Sequence, residues 1–351
     1  MPAKKHLLVI RLSAMGDVAM TVPVLRALLD QNPQVKVTMV SRPQFKPFFD
    51  SIPNLTFFGA DTQKRYKGIR GIWKLYKELK ALHLYGVADL HNVLRSIALT
   101  RLFKFNGKKT ATLDKARAAK KILVSGKDKV LQPLRPVTEM YADVFRGLGF
   151  PVNLSSPVFP EKPVITEDIV ELMGGRKTGT WIGIAPFAKH QGKVYPGDLM
   201  KKVIDELAMR ENTRIVLFGA GKEETSKLKR YAKGHANVAL AAGNLSLKQE
   251  LRLIAHLDVM ISMDSGNGHM AAMLGVPAVT LWGATHPYAG FAPFNQPEAN
   301  ALTANRDKYP LLPTSIYGNK KVKGYEDAMR TIKPEMVVQK TEQILNENAG
   351  T

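Results

Sequence analysis

One short segment in the C-terminal half of the chain combines an acid, a hydroxyl, two glycines and a histidine. Asp264, Ser265, Gly266 and His269 stand between an apolar, strand-like run and an apolar, helix-like run. A strand that ends in a Gly-rich turn and opens a helix presents unpaired backbone N–H groups and the positive end of the helix dipole to one point, which suits a phosphate. The same residue types favour an ordinary helix N-cap, and their spacing alone does not decide between the two interpretations.

A second acid, Asp17, follows Gly16 in the first strand-to-helix turn of the chain. A carboxylate exposed at the tip of such a turn can act as a general base toward a hydroxyl. It can also cap the helix that we expect to start at Val18, which typically stabilises a helix by about 1 kcal/mol. The spacing alone slightly favours the capping role.

Several kinds of site are disfavoured by the motifs that the chain lacks. No Gly-x-Gly-x-x-Gly run follows the first strand, the segment Gly219-Ala220-Gly221 stops short of that fingerprint, and no P-loop occurs, so a nicotinamide dehydrogenase is disfavoured. The eight histidines show no His-x-His or His-x-x-x-His spacing and there is no cysteine, so a transition-metal site is disfavoured. Because no Gly-x-Ser-x-Gly elbow occurs, Ser–His–Asp catalysis is disfavoured as well. We expect neither a metal nor a cofactor.

Composition indicates a globular protein of two domains. The chain has 351 residues, of which 45% are hydrophobic and 23% are charged. No apolar run is long enough to span a membrane, the N-terminal residues do not read as a secretory signal, and cysteine is absent. These features predict a cytoplasmic protein.

Positive charge is concentrated in one part of the chain. The formal net charge is +21, and the segment Lys64–Val130 carries eighteen Lys or Arg against four acids. Such a segment attracts nucleic acid, an anionic bilayer or a phosphorylated substrate, although a charge run is often only a solvated face. Within it, the stretch 69–83 has apolar residues at helical spacing and basic residues on the other face, which fits a helix packed on a sheet better than a membrane-surface helix.

Strand-like and helix-like segments alternate along the chain. In the N-terminal part we predict strands at 7–12, 35–41 and 87–91, helices at 18–30, 69–83, 92–103 and 138–148, and a basic loop or short helix at 108–121. The Pro-rich stretch 151–163 reads as a linker. In the C-terminal part we predict strands at 181–185, 214–218, 238–241, 259–263 and 278–283, with helices at 197–210, 222–233 and 245–256, the last capped by Ser246 with Glu250 as its capping-box partner. This alternation predicts parallel sheets covered by helices, with ligands at the carboxyl ends of the strands and a substrate cleft between two domains.

Two distant segments together resemble the heptosyltransferases of glycosyltransferase family 9. One is the opening run 10–18 with 21–28, and the other comprises 244–247, 264–269 and 275–287, so that the resemblance spans nearly the whole chain. Asn267 and Gly268 depart from the family pattern. The resemblance implies an α/β GT-B fold of two Rossmann-like domains that face a central cleft. It also implies an acceptor-binding domain at 1–160, a nucleotide-sugar domain at 161–325, and a C-terminal helix within 326–351 that crosses back to the first domain.

The resemblance also implies an activity and a set of site residues. Family members are inverting, metal-independent enzymes that move a heptose from ADP-heptose to the inner core of lipopolysaccharide, either Kdo-lipid A or an attached heptose. Carried over by residue, the base is Asp17; the donor-binding residues are Lys193, Glu223 (with Glu224 as an alternative ribose contact), Asp264, Ser265, Gly266 and His269; the acceptor-binding residues are Ser13, Met15, Gly16, His91, Arg95 and Arg101.

The partners that follow are an ADP-sugar, a phosphorylated lipid A or core oligosaccharide, and an anionic membrane. We therefore expect a monomer at the inner face of the cytoplasmic membrane, with the basic segment toward acceptor and leaflet. A GT-B transferase with another donor or acceptor is the nearest alternative, because fold does not set the substrate. A nucleic-acid-binding protein is disfavoured, because the chain contains no recognisable reader motif.

Overall fold

Strand and helix alternate along two separate α/β units in the computed structural model, which describes residues 5–349. The first unit takes in the described residues up to Ala116 together with Arg135–Pro160; the second takes in Arg117–Leu134 and the described residues from Glu161 onward. The predicted first domain included 117–134, whereas the contacts of this stretch place it in the second unit. The ends of the predicted domains, 1–4 and 350–351, lie outside the described residues.

The first unit is built on a sheet of five parallel strands in the order β3-β2-β1-β4-β5. The strands are β1 Lys5–Ile10, β2 Val35–Ser41, β3 Leu55–Gly59, β4 Gly86–Asp89 and β5 Lys109–Thr112. In the central strand, Leu7, Leu8 and Val9 are fully buried. A continuous apolar run of this kind is typical of a parallel strand that is covered on both faces.

Helices cover both faces of this sheet. They are α1 Met15–Ala19, α2 Thr21–Gln31, α3 Gly68–Lys80, α4 Leu94–Phe105 and α6 Val137–Gly147, while α5 Arg117–Leu123 belongs to the second unit. The connections β1 to β2 and β3 to β4 run in opposite directions across the sheet, so right-handed crossovers place α2 on one face and α3 and α4 on the other. The helix predicted at 18–30 is wrong in its start: the chain turns helical at Met15, and Asp17 lies inside the first turn of α1.

The second unit has a sheet of six parallel strands in the order β11-β10-β9-β6-β7-β8. The strands are β6 Thr180–Ala185, β7 Thr213–Leu217, β8 Val238–Leu240, β9 Val259–Met263, β10 Ala278–Trp282 and β11 Ala301–Thr303. This is the strand order of a dinucleotide-binding Rossmann sheet, in which the order reverses between the first and fourth strands, here β6 and β9. Ligands bind such sheets beyond the carboxyl ends of the strands at that reversal.

The remaining helices pack on this second sheet. They are α7 Glu167–Leu172, α8 Gly197–Ala208, α9 Gly221–Ala232, α10 Leu247–Ile254, α11 Gly266–Met273 and α12 Pro334–Ala349. Ser246 caps α10 as predicted, but its capping-box partner is Gln249, because the third residue of the helix, and not the fourth, reaches the cap. None of the described helices is long and apolar enough to cross a membrane.

The last helix packs within the second unit. In α12, Val337, Val338, Ile344 and Leu345 join the core of this unit, and the helix contacts α8. The chain leading into α12 is held to the same unit by Tyr195, whose hydroxyl donates a hydrogen bond of 2.7 Å to the Ile332 carbonyl. By this packing α12 is part of the second unit, and the expectation that the C-terminal helix crosses back to the first domain stays a prediction.

Candidate active site

A largely buried ion pair lies at the carboxyl edge of the second sheet. Asp264 directly follows β9, and Lys193 lies in the turn that follows β6, which pairs with β9. The Lys193 Nζ atom lies 3.0 Å from Asp264 Oδ2, and the two side chains are only 15% and 8% exposed. The fold thus joins the acid of the C-terminal motif and a lysine from a separate segment, at the point where the strand order reverses.

Unpaired backbone donors lie directly beside this pair. Ser265 has the extended backbone of an N-cap, but its side chain does not cap α11. The Ser265 Oγ atom is buried without a hydrogen-bond partner in the described part of the chain. The N–H groups of the first helical turn, which include Gly266 and Asn267, have no intrahelical acceptor. Together with Lys193, these donors form a site suited to a diphosphate.

Close packing explains why position 268, one of the departures from the family pattern, is a glycine. A Cβ atom at this position would lie 2.6 Å from Ser262 Oγ, so only glycine lets α11 approach β9 this closely. Ser262 Oγ is itself buried without a partner among the described residues. His269, on the next position of the helix, is 7% exposed and is packed into the same region.

The turn that carries Lys193 is fixed by a neighbouring loop. The Ala284 N–H donates to the Gly192 carbonyl over 2.9 Å, and the Ala284 carbonyl accepts from the N–H groups of Thr314 and Ser315. Gly318 has a φ of +76°, and a Cβ atom there would collide with the Lys193 stem. These contacts set the position of the lysine before any ligand is bound.

The two candidate ribose acids stand at the start of α9, beyond the carboxyl end of β7. Glu224 Oε2 accepts a hydrogen bond of 2.7 Å from the Ala220 N–H and so completes the start of the helix. Glu223 pairs with Lys227 at 2.7 Å and is 83% exposed. Glu223 therefore has the more accessible carboxylate of the two.

Asp17 sits at the carboxyl edge of the first sheet, in the third position of α1. Its Oδ2 atom accepts a hydrogen bond of 3.1 Å from the Ala14 N–H, so Asp17 stabilises the start of α1 from inside its first turn and is not the N-cap of a helix starting at Val18. The same oxygen lies 2.6 Å from Arg11 Nη2, and the side chain is 25% exposed. Its other oxygen, Oδ1, has no hydrogen bond among the described residues, which leaves it available to a ligand.

Arg11 is a site residue that the sequence analysis missed. It is 7% exposed, its Nη1 donates 2.7 Å to the Leu90 carbonyl, and its guanidinium lies 5.8 Å from the Tyr141 ring centroid. The signal in the sequence is an arginine inside an apolar, strand-like run, six residues before an acid, but only the fold shows that the two side chains meet. Arg11 ties the Asp17 turn to the loop after β4.

The candidate acceptor residues are placed unequally. Ser13, Met15 and Gly16 form the turn and the start of the helix around Asp17, and His91 lies in the loop after β4, which is adjacent to β1. Arg95 is in the first turn of α4, whereas Arg101 is exposed about 9 Å further along the helix axis. The structure thus gathers the other candidates at the carboxyl edge but leaves Arg101 away from it.

The electrostatics of this edge make His91 neutral. Burial lowers the pKa of His91 from 6.5 to about 3, and the charges of Arg11 and Lys115 act in the same direction. Asp89 Oδ1 holds the loop by accepting from the N–H groups of His91 and Asn92, each at 2.9 Å. At neutral pH the imidazole is therefore a hydrogen-bonding group and not a cation. Within residues 5–349, no three His, Asp or Glu side chains are grouped so as to hold a metal ion.

Comparison of the sequence with known proteins finds similarity to heptosyltransferases. The model of glycosyltransferase family 9 (heptosyltransferase) matches residues 72–320. The chain is 24% identical to the lipopolysaccharide core heptosyltransferase OpsX of Haemophilus influenzae, over 84% of this chain and 83% of that one.

Solved structures share the fold. A glycosyltransferase family 9 protein of Veillonella parvula superposes with a TM-score of 0.76 at 21% identity, with 99% of both chains covered. Escherichia coli heptosyltransferase WaaC with ADP-2-deoxy-2-fluoro heptose superposes with a TM-score of 0.65 at 19% identity, over 96% of this chain and 99% of that one. The α/β fold predicted from the sequence is confirmed. The family match covers more than two thirds of the chain, which therefore belongs to glycosyltransferase family 9, the heptosyltransferase family.

Proposed function

We propose that this protein is an inverting glycosyltransferase that moves a heptose from ADP-heptose to the inner core of lipopolysaccharide. The acceptor is Kdo-lipid A or a heptose already attached to it. The observation that carries the proposal is the Lys193–Asp264 pair beside the open start of α11, in a chain that belongs to this family. The naming of OpsX as a lipopolysaccharide core heptosyltransferase and the ADP-heptose analogue bound to WaaC support the choice of substrates.

On the donor side, Lys193 and the first-turn N–H groups of α11 bind the diphosphate. Asp264 accepts hydrogen bonds from sugar hydroxyls through the carboxylate that Lys193 holds in place, and Glu223 contacts the ribose. Cationic and N–H donors at this point stabilise the negative charge that develops on the departing ADP. We propose that they do so without a divalent cation.

On the acceptor side, Asp17 is the general base. Its Oδ2 atom is held by Ala14 and Arg11, so Oδ1 takes the proton of the attacking hydroxyl. The acceptor oxygen forms a bond to the anomeric carbon while the bond from that carbon to the diphosphate oxygen breaks, and ADP leaves. A single displacement of this kind inverts the anomeric configuration. Transfer requires that the acceptor at the first sheet and the donor at the second meet in one cleft, which is part of the proposal.

The proposed location is the inner face of the cytoplasmic membrane, with the protein acting as a peripheral monomer. The lipid-linked acceptor and the exposed lysines and arginines of the first unit support this location. The proposed partners are then the donor, the acceptor and the membrane, with no nucleic acid.

The test compares Asp17→Asn with a matched control, Asp50→Asn. Asp50 is an exposed acid of the same unit that pairs with Lys46. Asp17→Asn is expected to lower kcat about 10²- to 10⁴-fold, to leave the thermal shift caused by ADP unchanged, and to be far more damaging than the control. Transfer at the wild-type rate by Asp17→Asn would remove the general-base role.

A panel of nucleotide sugars tests the donor separately. ADP-heptose is expected to stabilise the protein more than UDP-, GDP- or dTDP-sugars do in a thermal-shift assay. A clear preference for another nucleotide would favour the alternative, a GT-B transferase with a different donor.

A further inference from the structure

Large apolar side chains are exposed at the carboxyl edge of the first sheet. Ile69, Trp73 and Leu94 are 87%, 48% and 88% exposed. Ile69 and Trp73 belong to the first turns of α3, which follows β3, and Leu94 begins α4, which follows β4. Because both helices start where a parallel strand ends, these side chains lie at the same edge of the sheet as the Asp17 turn.

The two helices present their first turns side by side. They run in the same direction on one face of the sheet and contact each other through Tyr76 and Phe103, whose ring centroids lie 4.9 Å apart. Ile69 precedes Tyr76 by seven residues and Leu94 precedes Phe103 by nine, so at about 1.5 Å per residue the two aliphatic side chains are at nearly the same height. They therefore stand at the same end of two neighbouring helices, and together with Trp73 we call them the apolar tip.

Positive charge is concentrated in the segment that leads into α3 and forms its first turns. Asp61 is the single acid of the stretch 61–74. The same stretch has five exposed basic residues, which are Lys64, Arg65, Lys67, Arg70 and Lys74. The Asp61 carboxylate already accepts from the N–H groups of Gln63 and Lys64, and Arg65 is paired with Glu78. The Lys77 ammonium lies 5.7 Å from the Trp73 ring centroid. The remaining charge is complementary to an anionic surface.

We propose that this tip, formed by Ile69, Trp73 and Leu94, inserts into the boundary between headgroups and acyl chains of an anionic bilayer. Aliphatic side chains enter the acyl region, a tryptophan settles at the interface, and lysines and arginines bind the anionic headgroups. The inference rests on the proposed function for its acceptor and names the part of the enzyme that meets the membrane. Insertion of the tip turns the carboxyl edge of the first sheet, which carries Asp17, toward an acceptor embedded in the bilayer.

Trp73 provides a direct probe of this insertion. The chain has three tryptophans, and the other two, Trp181 and Trp282, are each 1% exposed. A blue shift of tryptophan emission on addition of vesicles therefore reports on Trp73. We expect the shift with vesicles of mixed phosphatidylcholine and phosphatidylglycerol, and little or none with phosphatidylcholine alone.

Variants separate the tip from exposed apolar surface in general. Ile69→Ser with Leu94→Ser is expected to weaken co-sedimentation with the anionic vesicles at least about tenfold. Phe105→Ser is the matched control: Phe105 is 89% exposed but lies at the opposite end of α4, and its loss is expected to leave binding unchanged.

Four results would overturn the proposal: no binding of the wild type, equal binding to both kinds of vesicle, wild-type binding by the double variant, or an equal loss in Phe105→Ser. Transfer to a detergent-solubilised acceptor, measured on the same proteins, is expected to be unchanged in the double variant. That assay reports on the proposed function alone, so a failure of membrane insertion and a failure of the enzymatic assignment are distinguishable.

Discussion

Replacing Lys193 by methionine removes one half of the ion pair at the donor site. The Asp264 side chain is 8% exposed in the wild type, and the variant leaves this carboxylate between β9 and α11 without the ammonium that lies 3.0 Å away. Methionine keeps most of the stem that packs on Gly318, so the change is mainly one of charge. The predicted effect is a loss of stability that does not depend on any ligand.

The magnitude follows from the distance and the burial. Two unit charges at 3.0 Å attract by roughly 5 kcal/mol at an effective dielectric constant of about 20. Desolvation of both groups offsets part of this, and removal of one partner from a buried pair typically costs about 3–5 kcal/mol. We expect Lys193→Met to lower the free energy of unfolding of the second unit by about 3 kcal/mol, which is roughly 6–12 °C in Tm for a unit of this size.

Urea unfolding of four proteins measures this effect as a double-mutant cycle. The wild type, Lys193→Met, Asp264→Asn and the double variant are compared, and the double variant is expected to recover most of the loss because no unpaired charge remains. Lys201→Met is the control, since Lys201 pairs with Asp205 on the surface of α8 and such pairs contribute about 1 kcal/mol or less. A coupling energy near zero, or a Lys193→Met protein as stable as the control, would refute the prediction that the Lys193–Asp264 pair stabilises the second unit.

Three further predictions concern pH and packing. The pKa of His91 is lowered in the folded protein, so its contribution to stability is present above pH 6.5 and is lost as the pH falls toward 3; between pH 7 and pH 5 the wild type should lose about 2 kcal/mol more than His91→Gln in urea unfolding. Burial raises the pKa of Glu250 to about 7, so its contribution is present below its ordinary value of 4.5 and is lost as the pH rises through 7; Glu250→Gln should therefore stabilise the protein by about 2 kcal/mol more at pH 8 than at pH 5. Gly268→Ala should destabilise by about 1–3 kcal/mol through its clash with Ser262, and Ser262→Ala should relieve much of that loss in a thermal-denaturation comparison.

Each of these predictions has its own contrary result. A His91→Gln protein with the same pH dependence as the wild type would mean that the imidazole titrates normally. A Glu250→Gln effect that is equal at both pH values would place that carboxyl in water. If Ser262→Ala gave no relief, the strain at position 268 would have another source.

The central strands and their helices were predictable because their signal is local. β1, β9 and β10 are apolar runs bounded by polar turns, and each lies inside its sheet. The strands that were missed, β3, β5 and β11, are three of the four edge strands and have largely half-buried residues, whereas the fourth edge strand, β8, was predicted. An edge strand has a partner on one side only and is less buried. Its sequence therefore shows a weaker alternation or run of apolar residues, which is the signal from which strands are predicted.

The candidate site was predictable in its parts but not in its connections. Asp264 and Lys193 are far apart in sequence, and they meet because the strand order places β9 beside β6. The pairing of Arg11 with Asp17 depends on where α1 starts, which is three residues earlier than the apolar pattern indicates. Side-chain partners of this kind require the fold, because turn geometry sets which atoms come within hydrogen-bond distance.

The most direct test of the central claim is the anomeric configuration of the product. The purified protein is incubated with ADP-heptose and a detergent-solubilised Kdo-lipid A acceptor in the presence of EDTA, and the new glycosidic linkage is assigned by NMR while ADP release is measured. The account predicts one heptose added for each ADP released, with configuration inverted relative to the donor, and transfer by Asp17→Asn that is at least about 10²-fold slower. A retained configuration, a requirement for added metal, or equal transfer by the variant would contradict it.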